Sequence, residues 1–264
     1  MSTPARNASP ASIFSLQGKI ALVTGASSGL GNHFARTLAA SGATVIVAAR
    51  RTEKLAALVE AIGAEGGKAL AVPMNVNDRA SIDAAFAQAA KAVGAPDIVV
   101  NNAGIAISKP SLDLTEEDWR SVLDTNLDGV WRVAQAGAKT MIAAGKAGSI
   151  VNIASILGLR VAGALLSYTT SKAAVVQLTK ALALEWARYR IRVNAIAPGY
   201  VETDMNRAVL NSEAGQAMVK RVPQRRIGRP EDLDGALLLL ASEASSYMTG
   251  SVVVVDGGHL VSSL

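Results

Sequence analysis

The sequence predicts an α/β protein: a single doubly wound domain with a seven-stranded parallel sheet flanked by helices. Three observations predict it. Short, nearly continuous runs rich in Val, Ile and Ala recur along the chain, the pattern of strands buried on both faces. Longer helical patterns separate these runs, at the spacing of strand–helix alternation. A length of 264 residues, 50% of them hydrophobic, suits one well-buried core and is short for two.

In order, strand one is read over residues 19–24 and is followed by a helix over 29–41. Strand two (44–48) leads to a helix over 52–65, and strand three (69–72) to one over 78–93. Strand four (97–100) precedes a single long helix, 116–144. Strand five (149–153) precedes a helix over 167–189, strand six (191–196) precedes one over 230–243, and residues 251–255 supply strand seven. No internal linker and no solenoid-type repeat interrupts the series. Residues 18–264 are therefore read as one Rossmann-like domain. Residues 1–17, rich in Ser, Ala and Pro with Arg6 as the lone charge, are read as a flexible tail.

Composition excludes several classes of function. The chain has no cysteine, hence neither a disulfide framework nor a thiolate metal site. Its two histidines, His33 and His259, lie far apart, and no metal is called for. No run reaches the roughly 18 apolar residues of a membrane span, and the tail lacks the apolar core of a secretory signal. A cytoplasmic protein is expected. The net charge of +5 does not signal nucleic acid, because most bases alternate with acids along helical faces. One basic run, Lys220 to Arg229, is read as exposed, with Pro230 at the entry to the last helix.

Directly after strand one, Thr24-Gly25-Ala26-Ser27-Ser28-Gly29-Leu30-Gly31 opens a helix. Glycines let a backbone turn sharply and approach a ligand closely, and a helix start offers free N–H groups to a pyrophosphate. The spacing Gly-x3-Gly-x-Gly differs from the Gly-x-Gly-x-x-Gly dinucleotide fingerprint. The octapeptide resembles the turn of the short-chain dehydrogenase/reductase family, and later motifs follow that family's order over about residues 17–260. The resemblance implies a nicotinamide dinucleotide held at Gly25, Ser27, Ser28, Gly29, Leu30 and Gly31. Asn102-Ala103-Gly104 resembles the motif that supports the sheet and the adenosine ribose. Pro198-Gly199 resembles the family's turn before Val201 and Thr203, which would bind the carboxamide.

Cofactor preference is read at the end of strand two. An acid there accepts bonds from a ribose 2′-hydroxyl, and a base favours a 2′-phosphate. The position where NAD-preferring relatives carry Asp is Ala49, followed by Arg50 and Arg51. A guanidinium fork fits a phosphate, so NADP(H) is expected, with Arg50 the main contact and NAD(H) possible. The plain alternative is two arginines on a surface turn. Two departures bear on this: Ser28 stands where many NADP-preferring relatives have a base, and Asn75, followed by Val76, stands where an acid usually meets adenine.

Tyr168 and Lys172 lie four residues apart in a helical stretch, hence on one face. A phenol with its ordinary pKa near 10 is a poor base at neutral pH, and a nearby ammonium lowers that pKa. Ser155, at the end of strand five, is placed to donate to a substrate oxygen as charge gathers there. By resemblance Asn126, inside the long helix, completes a tetrad by holding a water that links Lys172 to solvent; Tyr168 and Lys172 also belong to the cofactor site. Each residue alone has an ordinary structural role open to it, as surface packing, turn former or helix kink. Their joint register with the glycine turn favours catalysis.

Residues 204–226 lack periodicity and are read as a mobile lid. Met205, Val209, Leu210 and Met218, with Leu157, Leu159 and Val161, either line an apolar substrate pocket or cover the core. The expected function is hydride transfer between NADP(H) and a secondary alcohol or ketone, and the family resemblance implies a homotetramer joined through the long helices and the last strand. Two alternatives stay open. One is a 3-oxoacyl-(acyl-carrier-protein) reductase of the same family, in which the resemblance puts Arg132 at one carrier-binding position and Tyr189 in place of a base at the other. The second is a non-catalytic NADP-binding regulator.

Overall fold

Seven parallel strands form one sheet in the order β3-β2-β1-β4-β5-β6-β7 in the computed structural model, which describes residues 10–203 and 213–262. They are β1 (Ile20–Thr24), β2 (Thr44–Ala49), β3 (Lys68–Pro73), β4 (Ile98–Asn101), β5 (Gly148–Ile153), β6 (Ile191–Pro198) and β7 (Val252–Val255). The chain runs outward from β1 to β3, then crosses back to lay β4 on the other side of β1. This reversal opens a crevice beyond the carboxyl ends of β1 and β4, the usual ligand position in such sheets.

Both faces are buried because successive strand residues point opposite ways. Val23, Val45, Val47 and Val151 pack with Phe34 and Leu38 of α1 (Gly29–Ala40), Leu55 and Ile62 of α2 (Thr52–Ala64), and Leu237 and Leu240 of the last helix. Leu22, Ile46, Val99 and Ile150 face Ile82 and Phe86 of α3 (Arg79–Ala92) and Val133 and Met141 on the opposite layer. Asp78 caps α3 by accepting from the Ala80 N–H at 3.0 Å.

Three expectations change. The helix read over 116–144 is α4 (Glu116–Leu123), a π turn (Asp124–Asp128) and α5 (Gly129–Ala143). The side chain of Asn126 bonds away from the helix in this turn, as described below, and such wide turns recur at functional sites. Residues 10–17, assigned to the tail, lie against the domain: Pro10–Phe14 forms a 3₁₀ turn, the Leu16 N–H donates to the Ser41 carbonyl at 2.9 Å, and Leu16 is fully buried in the core. Within the segment read as a lid, α7 (Glu213–Val219) is helical; Met205, Val209 and Leu210 lie outside the described residues.

The remaining helices are α6 (Leu166–Trp186) and α8 (Asp234–Ala241), the latter entered through a 3₁₀ turn at Pro230–Leu233. Arg226 of the basic run pairs there with Asp232 at 2.6 Å. Among the described residues no helix is long and apolar enough to cross a membrane, and no group of His, Cys, Asp and Glu is arranged to hold a metal ion.

Candidate active site

The glycine turn is built by close approach of two loops. Gly25 has φ +67°, and a Cβ there would lie 2.9 Å from the Ala103 Cα. A Cβ on Gly31 would overlap the Gly25 carbonyl oxygen and the Asn102 side chain. Asn102 holds this approach: its amide donates to the Thr24 carbonyl at 3.0 Å, while the Thr24 hydroxyl accepts from the N–H groups of Asn102 (3.0 Å) and Ala103 (3.1 Å). Thr24 is thus a structural member of the site that motif reading passed over; its only signal was its place between strand and glycine.

Ser28 stands at the N-cap of α1 but makes no capping bond with its side chain. Its hydroxyl instead accepts from Arg51 at 2.9 Å, and the same guanidinium nitrogen reaches Ser27 at 2.8 Å. The structure therefore sets Arg51, rather than Arg50, against the glycine turn. The first N–H groups of α1, without a side-chain cap, fit a pyrophosphate, and so does the absence of Cβ atoms at Gly25, Gly29 and Gly31. A cleft of about 850 Å³ runs along the turn, lined by Ser27, Ser28, Gly29, Arg36 and Thr203 among others. Leu30 sends its side chain into the core.

The Asn75 side-chain Oδ1 accepts from its own turn, the Asn77 N–H at 3.2 Å, and Val76 lies against α5, 3.0 Å from where a Gly129 Cβ would stand. Pro198 ends β6 beside Val255, and the Gly199 N–H donates to the Val255 carbonyl at 2.9 Å. Val201 is buried, and a Cβ on Gly29 would lie 3.7 Å from the Thr203 Cγ2, which sets the Pro-Gly segment beside the glycine turn.

Beyond the end of β5, Ser155 begins a 3₁₀ turn (Ile156–Gly158), and its hydroxyl accepts from the Leu157 N–H at 3.1 Å. Gly158 presses this turn onto α6: a Cβ there would stand 2.7 Å from the Lys172 carbonyl. The Ser155 hydroxyl thereby meets the Tyr168 hydroxyl. Lys172, one helical turn on, is 4% exposed, donates to the Ile153 carbonyl at 2.7 Å and stands 5.7 Å from the centre of the Tyr168 ring. Asn126 is fully buried; it accepts from the Ile105 N–H and donates to the Ile105 carbonyl, both at 2.8 Å, and donates to the Ser171 hydroxyl at 3.2 Å. Ser171 in turn donates to the Tyr168 carbonyl at 2.7 Å. Ser155, Tyr168, Lys172 and Asn126 are therefore brought together.

Electrostatics correct one expectation. Burial pushes the Tyr168 phenol up, the Ser155 hydroxyl opposes this, and the neighbouring Tyr200 adds to it. Lys172 does not lower the phenol here, since its ammonium lies by the ring and is bonded to Ile153; burial brings Lys172 itself down to about 8. Of the apolar residues assigned to the pocket, Leu157 is buried beside Ser155, but Leu159 (43%) and Val161 (82%) are exposed, and Met218 lies on α7.

A doubly wound sheet with a glycine turn at its switch point, next to a Ser–Tyr–Lys cluster, defines a dinucleotide-dependent oxidoreductase. The family described as enoyl-(acyl carrier protein) reductase matches residues 25–259. The chain is 42% identical over 244 residues to the 3-oxoacyl-[acyl-carrier-protein] reductase FabG of Aquifex aeolicus, covering 92% of this chain and 98% of that one. It is 39% identical over 250 residues to the 5-keto-D-gluconate 5-reductase of Escherichia coli, covering 94% and 98%. The crystal structure of a gluconate 5-dehydrogenase from Burkholderia cenocepacia, in complex with NADP and tartrate, superposes with a TM-score of 0.91 at 40% identity, covering 95% and 98%. The chain belongs to the short-chain dehydrogenase/reductase family.

Proposed function

We propose that the protein transfers a hydride between NADP(H) and a secondary alcohol or ketone, with Tyr168 as the acid–base residue. The observation that carries this is the contact between the Ser155 and Tyr168 side chains, with the buried Lys172 Nζ 5.7 Å from the Tyr168 ring, beyond the carboxyl end of β5. When bound, the dinucleotide supplies or accepts the hydride. Gly25, Gly29, Gly31 and the start of α1 hold its pyrophosphate, Arg51 with Arg50 its 2′-phosphate, Asn102-Ala103-Gly104 its ribose, and Val201 with Thr203 its carboxamide.

The chain's own groups handle the oxygen. Ser155 donates to the carbonyl oxygen as negative charge gathers on it. Tyr168, kept protonated by burial, delivers its proton to that oxygen in reduction and takes one back in oxidation. Lys172, held by the Ile153 carbonyl, stands beside the Tyr168 ring and lines the floor of the site. Asn126 braces the loop at Ile105 and, through Ser171, the backbone of Tyr168 itself.

Replacing Tyr168 by Phe tests this. We expect turnover of NADPH with ketones to fall about 10²-fold or more while NADPH binding, read by fluorescence titration, is retained. Undiminished turnover would sink the proposal, and a regulator would keep its signalling in the variant.

A second reading, supported by the likeness to FabG, is a 3-oxoacyl-(acyl-carrier-protein) reductase. Arg132 is half-buried and paired with Asp128 at 3.5 Å, which leaves it less free to meet an acidic carrier. Comparing a carrier thioester with free ketones separates the two. We also take the protein to be a cytoplasmic homotetramer; exposed Trp131, Leu184 and Val254, on α5, α6 and β7, support subunit contacts there.

A further inference from the structure

Near Tyr168, three residues from separate segments converge. Tyr200 follows β6 and is close enough to Tyr168 to influence it. The His259 ring lies on Tyr200 with centroids 5.6 Å apart. Arg160, in the loop between Ser155 and Tyr168, donates to the His259 carbonyl and is near enough to both rings for its charge to act on them.

The charge of Arg160 is unspent. It is half-buried, and no carboxylate pairs with it among the described residues. Asp256, the acid near His259, gives its oxygens to the N–H groups of Gly258 (2.8 Å) and Leu260 (2.5 Å). Arg221 adds a second positive charge near His259. His259 is 7% exposed, and its Nδ1 is buried without a hydrogen-bond partner among the described residues. A half-buried guanidinium with free donors, a phenol and an unpaired imidazole nitrogen make a site short of one anion.

We propose that Arg160, Tyr200 and His259 form the subsite for the end of the substrate remote from the reacting carbon, and that Arg160 selects there for a carboxylate. The planar fork of a guanidinium matches the two carboxylate oxygens. This rests on the hydride-transfer reading above and narrows its substrate class to hydroxy and keto acids.

The test uses 5-keto-D-gluconate and L-sorbose, which share a ketone and a hydroxyl skeleton and differ at the remote end: carboxylate in one, primary alcohol in the other. With NADPH, Arg160→Gln is expected to lower the ratio of kcat/KM for the acid to that for the sugar about tenfold or more. The loss should fall mainly in KM, because the remote contact is made equally before and during reaction. Arg160→Lys, which keeps the charge, is expected to retain much of the preference. A second arm omits turnover. With saturating NADP⁺, 5-keto-D-gluconate should raise the Tm of the unaltered protein more than L-sorbose does, and Arg160→Gln should remove the difference. Equal or absent stabilisation by the two compounds, or a difference that survives Arg160→Gln, overturns the proposal. Failure of hydride transfer itself would show separately, as no NADPH consumption with either compound despite an intact melting difference.

Discussion

Arg51 reaches from the end of β2 to hydrogen-bond the Ser28 hydroxyl at the start of α1, 2.9 Å away. A base is thus present at the turn although the turn's own sequence carries none. Its chain origin is the neighbouring strand. Arg51→Ala is expected to raise KM for NADPH about tenfold or more while changing KM for NADH much less, since only the former carries a 2′-phosphate. Arg50→Ala should have the smaller effect. Steady-state kinetics with both cofactors decides, and equal losses for the two would contradict the assignment.

Asn126 satisfies both backbone groups of Ile105 from within the π turn. Truncation to Ala strands two polar groups in a site where Asn126 is fully buried. The expected loss is about 2–6 kcal/mol, at roughly 1–3 for each of the two unpaired groups. Urea unfolding would measure it. A loss under about 0.5 kcal/mol would mean that water replaces the side chain without cost.

Lys172 gives a pH signature. Burial lowers it from 10.5 to about 8 in the folded chain, so between those values the unfolded chain binds a proton that the folded one does not. Stability therefore rises with pH in that window, and the penalty for the buried charge is fully present below about pH 8. Lys172→Met has no such penalty. The stability of the variant relative to the parent should fall by about 2 kcal/mol between roughly pH 7.5 and 9.5. Parallel urea titrations across that range check it, and a constant difference refutes it.

Leu16 is fully buried although it precedes the first strand. Leu16→Ala is expected to cost about 2–5 kcal/mol, visible as a lowered urea midpoint with unchanged slope. A change within about 0.5 kcal/mol would return the segment to the tail.

Much of this architecture was legible from residues alone, and the exceptions have physical causes. Strands such as β1 and β5 announce themselves because both faces are buried and their apolar runs are unbroken. The pairing of Tyr168 with Lys172 follows from helical period, and the thirteen-residue step from Ser155 from family resemblance. The π turn was hidden, since it accompanies a tertiary bond between Asn126 and Ile105, 21 residues apart. Leu16 was masked by a Ser- and Pro-rich neighbourhood. Arg160 and His259 are 99 residues apart, and no periodicity links them. The lowered phenol pKa expected from Lys172 failed because sequence spacing carries no information on burial, which wins here.

The strand order sets two kinds of recognition on opposite flanks of one reacting centre. On the reading proposed above, Arg51, after β2, meets the 2′-phosphate of the nucleotide, whereas Arg160, after β5, and His259, after β7, meet the remote end of the carbonyl compound. Substitutions at Arg51 and at Arg160 touch no common partner, so their energetic effects should add. A lineage, or an engineer, could then exchange the electron donor without disturbing the proposed selection for acids, and widen the acceptor range without relearning the donor.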